Sequence, residues 1–207
     1  VMGDAPQAGL GLTDIAVDCE NNIYIIGSYN YWTGSANDLQ LSTEDYTYMM
    51  KLTSDGEFVW VKTFHNSELR SVFINNDGNI FITGHFIDNM TIGSVTLVSQ
   101  GDYADFFVAR LDGQGNSIWA KSGGGLSADC VYCIEGDDTD NIYIAGTLST
   151  YKAKVDGVEC NIGFSGSADF IAKWNSDGQF QWVRNGLLGS NSISKITDIT
   201  IDAGGNI

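Results

Sequence analysis

Short apolar runs, separated by clusters of Asp, Asn and Gly, form the dominant pattern of this chain. In its first part, four such runs are rich in β-branched and aromatic residues and therefore predict β-strands. The strands lie near Asp14–Val17, Ile23–Tyr29, Thr47–Leu52 and Phe58–Phe64. No window spaces its apolar residues at i, i+3, i+4 and i+7, as an amphipathic helix would. We therefore predict an all-β fold with essentially no helix.

The same pattern returns along the chain as an internal repeat. A stretch containing Asn-Ile occurs four times, and its shared asparagines are Asn22, Asn79, Asn141 and Asn206, which are 57, 62 and 65 residues apart. A second motif follows each full copy, with Gly, Trp and a terminal base in register, over Lys51–Lys62, Arg110–Lys121 and Lys173–Arg184. Regular self-similarity at this spacing is typical of a repeat architecture.

Four strands per repeat, arranged radially, predict the four-stranded antiparallel blades of a β-propeller. We place complete blades at about 12–65, 69–122 and 131–185, with a partial blade at 196–207 of a single 1–207 segment. Propellers close with about four to eight blades, so three and a half repeats predict an incomplete ring. Either flanking sequence or a second copy of the chain would complete it, and we expect the chain to be a piece of a longer protein.

The last two strands of each repeat form a predicted hairpin whose register follows from its turn. Asp55-Gly56 and Asp177-Gly178 are two-residue signals for a type I′ turn. With these turns at the centre, a base faces a tryptophan in every repeat, in the pairs Lys51 with Trp60, Arg110 with Trp119, and Lys173 with Trp182. Cross-strand neighbours are about 5 Å apart, so the base lies within reach of a cation–π contact with that Trp.

Several of these motifs resemble the bacterial β-propeller repeat family abbreviated SBBP. The similarity is strongest over Ala104–Arg110 and Ile118–Gly125, continues at Ala168–Lys173, and is weaker at Thr47–Lys51, where Tyr-Met-Met replaces the Phe-Val-Ala run. The resemblance implies a secreted or cell-surface bacterial propeller, often part of a large multidomain protein. The family carries no catalytic residues that could be transferred to this chain.

Composition excludes several classes of protein. The chain has 207 residues, 43% of them hydrophobic and 12% aromatic, which is too apolar for a disordered chain. Its formal net charge of −16 argues against binding to nucleic acid or an anionic membrane, because phosphates would be repelled. No apolar stretch approaches the ~20 residues needed to cross a bilayer, and no signal-peptide pattern opens the chain in this form.

Binding is predicted on the long connections between the second and third strands of each repeat, at 28–44, 86–104 and 147–168. Their candidate ligand contacts for a glycan or a protein are Tyr29, Tyr31, Trp32, Phe86, Tyr103, Tyr151 and Lys152. The alternative for each aromatic residue is a place in the core. Short apolar runs at Val95–Leu97 and Cys160–Ile162 could also form added strand edges.

Metal binding has weaker support in the sequence. Asp137, Asp138 and Asp140 offer the oxygen ligands that Ca²⁺ prefers, although the EF-hand spacing is absent. Asp and Asn are also ordinary turn residues. We therefore expect no cofactor, with calcium as the alternative.

Cysteine and histidine do not form a recognisable chemical motif. The four cysteines, Cys19, Cys130, Cys133 and Cys160, leave both disulfides and free thiols open, and a zinc site lacks a second ligand pair. His65 and His85 occupy different repeat positions, so loop roles are expected for both. The Asp that precedes each third strand (Asp45, Asp105, Asp169) recurs in every repeat, which favours a structural turn bond.

These observations favour a non-catalytic binding or scaffold module of a secreted or cell-surface bacterial protein. One alternative is a propeller enzyme acting on polysaccharide, which would need two carboxylates about 5–9 Å apart in a cleft, one with a raised pKa. The other is a structural spacer that binds nothing.

Overall fold

Sixteen β-strands and no helix make up the described part of the chain. The computed structural model describes residues 9–30, 47–149, 152–161, 167–186, 196–202 and 204–207. In chain order the strands are β1 Gly9–Val17, β2 Ile23–Asn30, β3 Thr47–Leu52, β4 Phe58–Phe64, β5 Ser67–Ile74, β6 Ile80–Phe86, β7 Asn89–Ile92, β8 Val95–Val98, β9 Asp105–Leu111, β10 Ser117–Gly124, β11 Cys130–Gly136, β12 Ile142–Leu148, β13 Lys152–Val155, β14 Val158–Asn161, β15 Ala168–Trp174 and β16 Phe180–Asn185. The predicted all-β fold is confirmed.

Each complete repeat forms a four-stranded antiparallel sheet. Repeat 1 has the order β1-β2-β3-β4, repeat 2 the order β5-β6-β9-β10, and repeat 3 the order β11-β12-β15-β16. The four strands predicted for repeat 1 are found, and β1 begins earlier than predicted, at Gly9. Within the described ranges the sheets do not close into a ring.

The sheet of repeat 2 is buried on both faces because it lies between the other two. Along β6, Ile80 and Ile82 belong to the core shared with repeat 1, whereas Phe81 belongs to the core shared with repeat 3. Successive strand residues point to opposite faces, so an apolar run such as Ile80-Phe81-Ile82 serves both cores. The sheets are therefore stacked face to face.

Two small hairpins occupy the long connections that were predicted to bind ligand. β7–β8 buries Met90 and Ile92 in the core between repeats 1 and 2, and β13–β14 buries Ala153 and Val155 between repeats 2 and 3. β13 also pairs with β10, which extends the sheet of repeat 2 to six strands. The alternative assignment of Val95–Leu97 and Cys160 to added strands is confirmed, and Ile162 lies outside the described residues.

The predicted hairpin register is confirmed, but the predicted turn type is wrong. Lys51 pairs with Trp60, Arg110 with Trp119 and Lys173 with Trp182. In the first turn only Gly56 has a positive φ, of 83°, whereas a type I′ turn needs two such residues. The turn is a three-residue loop, in which Thr53 N–H donates to Glu57 O. A bulge between Phe58 and Trp60 then restores the register.

Four side chains form a cluster at the hairpin-turn end of the sheet, which we call the turn face. In repeat 1, the Asp18 carboxylate accepts a hydrogen bond from Tyr24 (3.0 Å) and lies 3.7 Å from Lys51 Nζ. Lys51 Nζ lies 4.9 Å from the centre of the Tyr24 ring, and the Trp60 ring packs edge-on against that ring. The base therefore makes its cation–π contact with the tyrosine of the second strand, although the facing Trp is also within reach by register.

Repeat 3 reproduces this cluster and repeat 2 varies it. Asp137, Tyr143, Lys173 and Trp182 have the same arrangement, with Lys173 Nζ 3.5 Å from the Asp137 carboxylate and 4.7 Å from the Tyr143 ring centre. In repeat 2 the corresponding residues are Asn75, Phe81, Arg110 and Trp119. Without a carboxylate beside it, Arg110 donates instead to Ser176 O of repeat 3, at 2.8 Å.

In repeats 1 and 2 the tryptophan of the cluster contacts the hairpin of the next repeat. Trp60 Nε1 donates to Gly113 O (3.3 Å), and Trp119 Nε1 donates to Ser176 O (2.9 Å). A Cβ at Gly178 would lie only 2.8 Å from the Trp119 ring. Gly178 also has a φ of 76°, so both the turn and the neighbouring ring require glycine there.

We expect Trp119→Phe to lower the free energy of unfolding by about 1 kcal/mol, the net value of one hydrogen bond. The aromatic packing on Phe81 is retained, and Ser176 O still accepts from Arg110, so the loss stays small. Urea unfolding of both proteins measures the difference. An unchanged stability would contradict the role given to the indole N–H.

A close backbone approach beside a bulge explains the glycine near the end of each second strand. The bulged strand brings a carbonyl oxygen onto this glycine, so a Cβ at Gly27, Gly84 or Gly146 would overlap the oxygen of Gly11, Glu68 or Cys130 respectively. We expect Gly84→Ala to cost at least about 2 kcal/mol of stability through overpacking.

Gly113→Ala is the matched control, because its Cβ would meet nothing closer than Gly78 O at 3.7 Å. Thermal unfolding should therefore separate the two variants. Equal melting temperatures for Gly84→Ala and Gly113→Ala would contradict the close approach.

Candidate functional site

The loops at one end of the sheets of repeats 2 and 3 adjoin one another and form what we call the long-loop rim. It comprises residues 65–68, 85–88, 98–105, 123–129 and 148–149. Direct bonds join these loops: Asp129 N–H donates to Ala104 O (2.8 Å), and Gln100 Nε2 donates to Gly124 O (3.1 Å). The rim is thus built from residues that belong to two repeats.

The residues predicted to contact ligand divide into three groups. Tyr29 and Phe86 are buried, with their rings 6.4 Å from those of Tyr48 and Phe107 respectively, so they follow the alternative of a place in the core. Tyr103 is 58% exposed on the rim, and Lys152 is exposed on β13. The remaining candidates, Tyr31, Trp32 and Tyr151, lie outside the described residues.

An exposed apolar surface lies on the long-loop rim, and we name it the rim patch. Its members are Ile87, Val98, Tyr103 and Leu126, and Leu126 is 70% exposed. Ser99 N–H donates to Asp88 O, which brings the segments next to Val98 and Ile87 together. A Cβ at Gly101 would lie 3.3 Å from the Leu126 Cα, so the loop before Tyr103 touches the loop that carries Leu126.

Beside the rim patch lies a cavity of about 280 Å³, which we name the rim pocket. Segments 66–68 and 85–87, together with Ala104, line it. Glu68 and His85 face each other across β5 and β6, with His85 Nε2 3.2 Å from the Glu68 carboxylate, and Arg70 lies 3.1 Å from the same carboxylate. The rim pocket therefore combines apolar walls with a small charged group.

Two polar atoms at the rim pocket have no hydrogen-bond partner, His85 Nδ1 and Ser67 Oγ. Burial lowers the pKa of the His85 imidazole; Glu68 opposes this effect and Arg70 adds to it. A neutral imidazole whose Nε2–H points to Glu68 keeps Nδ1 as an acceptor. A ligand that supplies a hydrogen-bond donor would satisfy this atom.

Two buried carboxyl groups lie next to each other behind the rim patch. Asp105 is 1% exposed and Asp129 is 0% exposed. Burial raises the pKa of each to about 6, and repulsion by Asp105 adds to the shift at Asp129, while backbone hydrogen bonds oppose it. An enzyme that cleaves polysaccharide would need two carboxylates about 5–9 Å apart in a cleft, one of them with a raised pKa. Because both groups are buried, a glycosidic oxygen has no route to either.

The calcium candidates belong to a tight turn between β11 and β12. The Asp137 carboxylate accepts hydrogen bonds from Thr139, Asn141 and Tyr143, and Asp140 accepts one from Asn75 Nδ2 at 2.9 Å. Burial raises the pKa of Asp137, but these donors outweigh it and hold the pKa below its usual range. Asp138 is exposed. Across the described ranges, no group of three or more His, Cys, Asp or Glu could hold a metal ion.

The cysteines are free thiols in this structure. Cys133 and Cys160 are buried, and burial is the main cause that raises the pKa of the Cys133 thiol to about 12. A thiol with so high a pKa is a poor nucleophile at neutral pH. The structure therefore gives these two cysteines a packing role.

Sequence reasoning missed the residues that make the rim distinctive. Glu68, His85, Asp129 and Leu126 were either unassigned or expected in ordinary loops. Aligning the repeats with one another could have pointed to these residues. Asp129 occupies the position of Ser67 in repeat 2, and Gly123-Gly124 replace Phe64-His65 of repeat 1. Functional candidates lie where one repeat departs from the others.

Comparisons with known proteins support a repeat fold only in outline. The sequence matches no protein-family model. Separately, within the described residues no helix is long and apolar enough to span a membrane. An uncharacterized WD repeat-containing protein of Acanthamoeba polyphaga mimivirus is 24% identical over 186 residues, covering 77% of this chain and 13% of the relative. This chain thus spans a small part of that relative.

A crystal structure of a protein of unknown function from Bacteroides caccae was also found. The structural match covers 88% of this chain and 84% of the Bacteroides caccae chain, with 10% sequence identity and a TM-score of 0.28. Together with the stacked antiparallel sheets, the WD-repeat relative indicates an all-β repeat module.

Proposed function

We propose that this chain is a non-catalytic binding and scaffold segment of a β-propeller, and that it holds its ligand at the long-loop rim. The single observation that carries this proposal is the rim patch beside the rim pocket. Exposed contiguous apolar surface next to a concave site with a few polar groups is typical of a binding site. The rest of the repeated frame supports this rim.

The propeller assignment rests on the way that consecutive sheets stack. In repeats 2 and 3 the innermost strands bury Val72 and Ile134, whereas the equivalent Ile15 of repeat 1 is 53% exposed. Val17 on the same strand is also exposed. A further repeat packed on repeat 1, supplied by flanking sequence or by a second copy of this chain, would cover these residues as repeat 1 covers Val72.

The ligand class that fits best is a protein segment with an apolar side chain. Leu126, Val98 and Ile87 offer aliphatic surface, and apolar contact of this kind favours protein side chains over the polar faces of a sugar. A hydrogen-bond donor beside that side chain would reach His85 Nδ1. A glycan stacked on Tyr103 is the competing ligand, and the experiment below separates the two.

A secreted or cell-surface location of a bacterial protein remains part of the proposal. It is supported by the resemblance to the SBBP repeats and by the net charge of −16, which suits a soluble surface. An enzyme acting on polysaccharide is less well supported, because the carboxyl pair that could serve it is buried.

We expect Tyr103→Ser and Leu126→Ser each to weaken binding by about tenfold or more, as central interface residues do. The probes are a displayed peptide library and a glycan array, each screened with the wild-type chain, followed by affinity measurements on the hits. Both side chains are exposed, so the melting temperature should stay unchanged.

Ile118→Ser is the matched control, because Ile118 is an exposed apolar residue of β10 outside the rim. Peptide hits that lose affinity with the rim variants alone would support the proposal. Hits confined to the glycan array would exclude the protein ligand. The absence of any hit, or equal loss with Ile118→Ser, would contradict binding at this rim and favour a spacer.

A further inference from the structure

The carboxyl groups of Asp105 and Asp129 have an unusual hydrogen-bond arrangement. Asp105 Oδ2 accepts from Gln100 N–H (2.9 Å), and Asp105 Oδ1 accepts from Gly125 N–H (3.2 Å). Asp129 Oδ1 accepts from Ser149 N–H (2.6 Å). Asp129 Oδ2 is buried and has no hydrogen-bond partner of its own; the Gly125 N–H lies near enough to Asp129 to oppose the rise of its pKa but bonds to Asp105 Oδ1. A buried carboxylate oxygen without a donor is costly, so something must satisfy it.

Gly124 shows where this unpartnered oxygen points. Its φ is 144°, and a Cβ there would overlap Asp105 Oδ1 and come within 3.0 Å of Asp129 Oδ2. Both oxygens therefore border the same small space beside Gly124. The glycine leaves room for the two carboxyl groups to face each other.

Among the described residues no base pairs with either carboxyl group; Lys154, which lies opposite Gly124 on β13, is exposed and forms no ion pair with them. The loop ends packed around it contribute Gln100, Gly125 and Ser149, which are uncharged. The charged group that acts on Asp129 is Asp105 itself. Among the described ion pairs, none includes either carboxylate. Two adjacent buried negative charges repel each other strongly in a medium of low dielectric constant.

The repeated frame does not explain the pair either. Asp105 and Asp169 match in the sequence motif, but strand pairing places Ala168 at the position of Asp105 in repeat 3. The position of Asp129 holds Ser67 in repeat 2 and Leu10 in repeat 1. Gly124 likewise corresponds to His65 in repeat 1. The arrangement belongs to the junction between repeats 2 and 3 alone, among the repeats that the structure describes.

We propose that Asp105 and Asp129 form a proton-binding site in which one proton, taken from solvent, is shared between Asp105 Oδ1 and Asp129 Oδ2. The protonated carboxyl group donates its O–H to the carboxylate of the other residue. One proton supplies the missing donor to Asp129 Oδ2 and removes one of the two charges. The raised pKa of both groups agrees with this arrangement.

The shared proton links five strand ends. Asp105 begins β9 and is bonded to the loops that follow β8 and β10, while Asp129 precedes β11 and is bonded to the loop that follows β12. Loss of the proton leaves two facing charges and loosens this junction. Because Tyr103 and Leu126 lie on two of these loops, the site makes the order of the rim patch depend on pH. The inference does not depend on the identity of any ligand.

The sign of the effect follows from proton linkage. The folded pKa values are raised above the ordinary value of 3.8, so the folded chain binds more protons than the unfolded chain between about pH 4 and pH 6. Stability therefore falls as the pH rises through that range. His85, whose pKa is lowered, acts in the opposite direction, and Glu135, whose pKa burial raises, acts in the same direction.

The test compares thermal unfolding of the wild-type chain, Asp129→Asn and Asp105→Asn at pH 5 and pH 8. We expect the melting temperature of the wild type to be lower at pH 8 by about 5 °C beyond the change seen in Asp129→Asn. The amide group that Asp129→Asn introduces donates to Asp105 Oδ1 at any pH, so this variant should lose most of the pH-dependent fall in melting temperature, and burial of Asp105 accounts for the remainder. His85 and Glu135 are present in both chains and cancel in the difference.

Asp102→Asn is the matched control, because it removes one exposed charge from the loop that precedes Asp105 and should keep the pH-dependent fall in melting temperature. An Asp129→Asn chain that keeps the full wild-type fall would overturn the proposal. Stabilisation of the wild type by CaCl₂ at pH 8, absent in Asp129→Asn, would also overturn it and identify a cation site. Should both Asn variants fail to fold, carboxyl ¹³C NMR of the wild type decides: two Asp carbons should titrate near pH 6, and none titrating above pH 5 would refute the shared proton.

Discussion

Trp60 and Trp119 of the repeated hairpins each donate the indole N–H to a hairpin carbonyl of the next repeat, and this bond fixes how consecutive described sheets stack. In both repeats the base on the facing strand lies over the second-strand ring and the indole edge of Trp60 or Trp119 reaches the carbonyl, which in repeat 2 also accepts from Arg110. The next hairpin must then carry glycine where the ring approaches, as at Gly178. Turn, register and stacking are therefore parts of one constraint.

A frame of this kind commits most polar residues of the turn face to structure. The Asp137 carboxylate already accepts a hydrogen bond from the turn residue Asn141 and pairs with Lys173, so few of its lone pairs remain for a ligand. The opposite end of the sheets is less constrained, because its loops differ in length and sequence between repeats. The features without a structural explanation in the repeat, namely the rim patch, the unpartnered His85 Nδ1 and the Asp105–Asp129 pair, all lie there.

Much of the fold could be predicted from the sequence, because the repeats align the strands with one another and the position of each hairpin turn indicates which residues face each other. Lys51 does face Trp60, although a loop of three residues and a compensating bulge replace the expected two-residue turn. Such a compensation leaves no signal in a strand pattern. The burial of Tyr29 and Phe86 depends on sheet stacking, and the meeting of Asp105 with Asp129 depends on a junction between repeats. Neither follows from local sequence, which explains why the candidate site was predicted only as a region.

Hydrogen exchange of the tryptophan indole N–H groups, followed by ¹⁵N NMR, tests the central claim most directly. If indole bonds join the repeats into one frame, the Trp60 and Trp119 indole protons should exchange as slowly as the backbone amides of β6 and β9, since both then require the sheets to separate. Exchange of either indole at the rate of a solvent-exposed group, while those amides remain protected, would contradict the account.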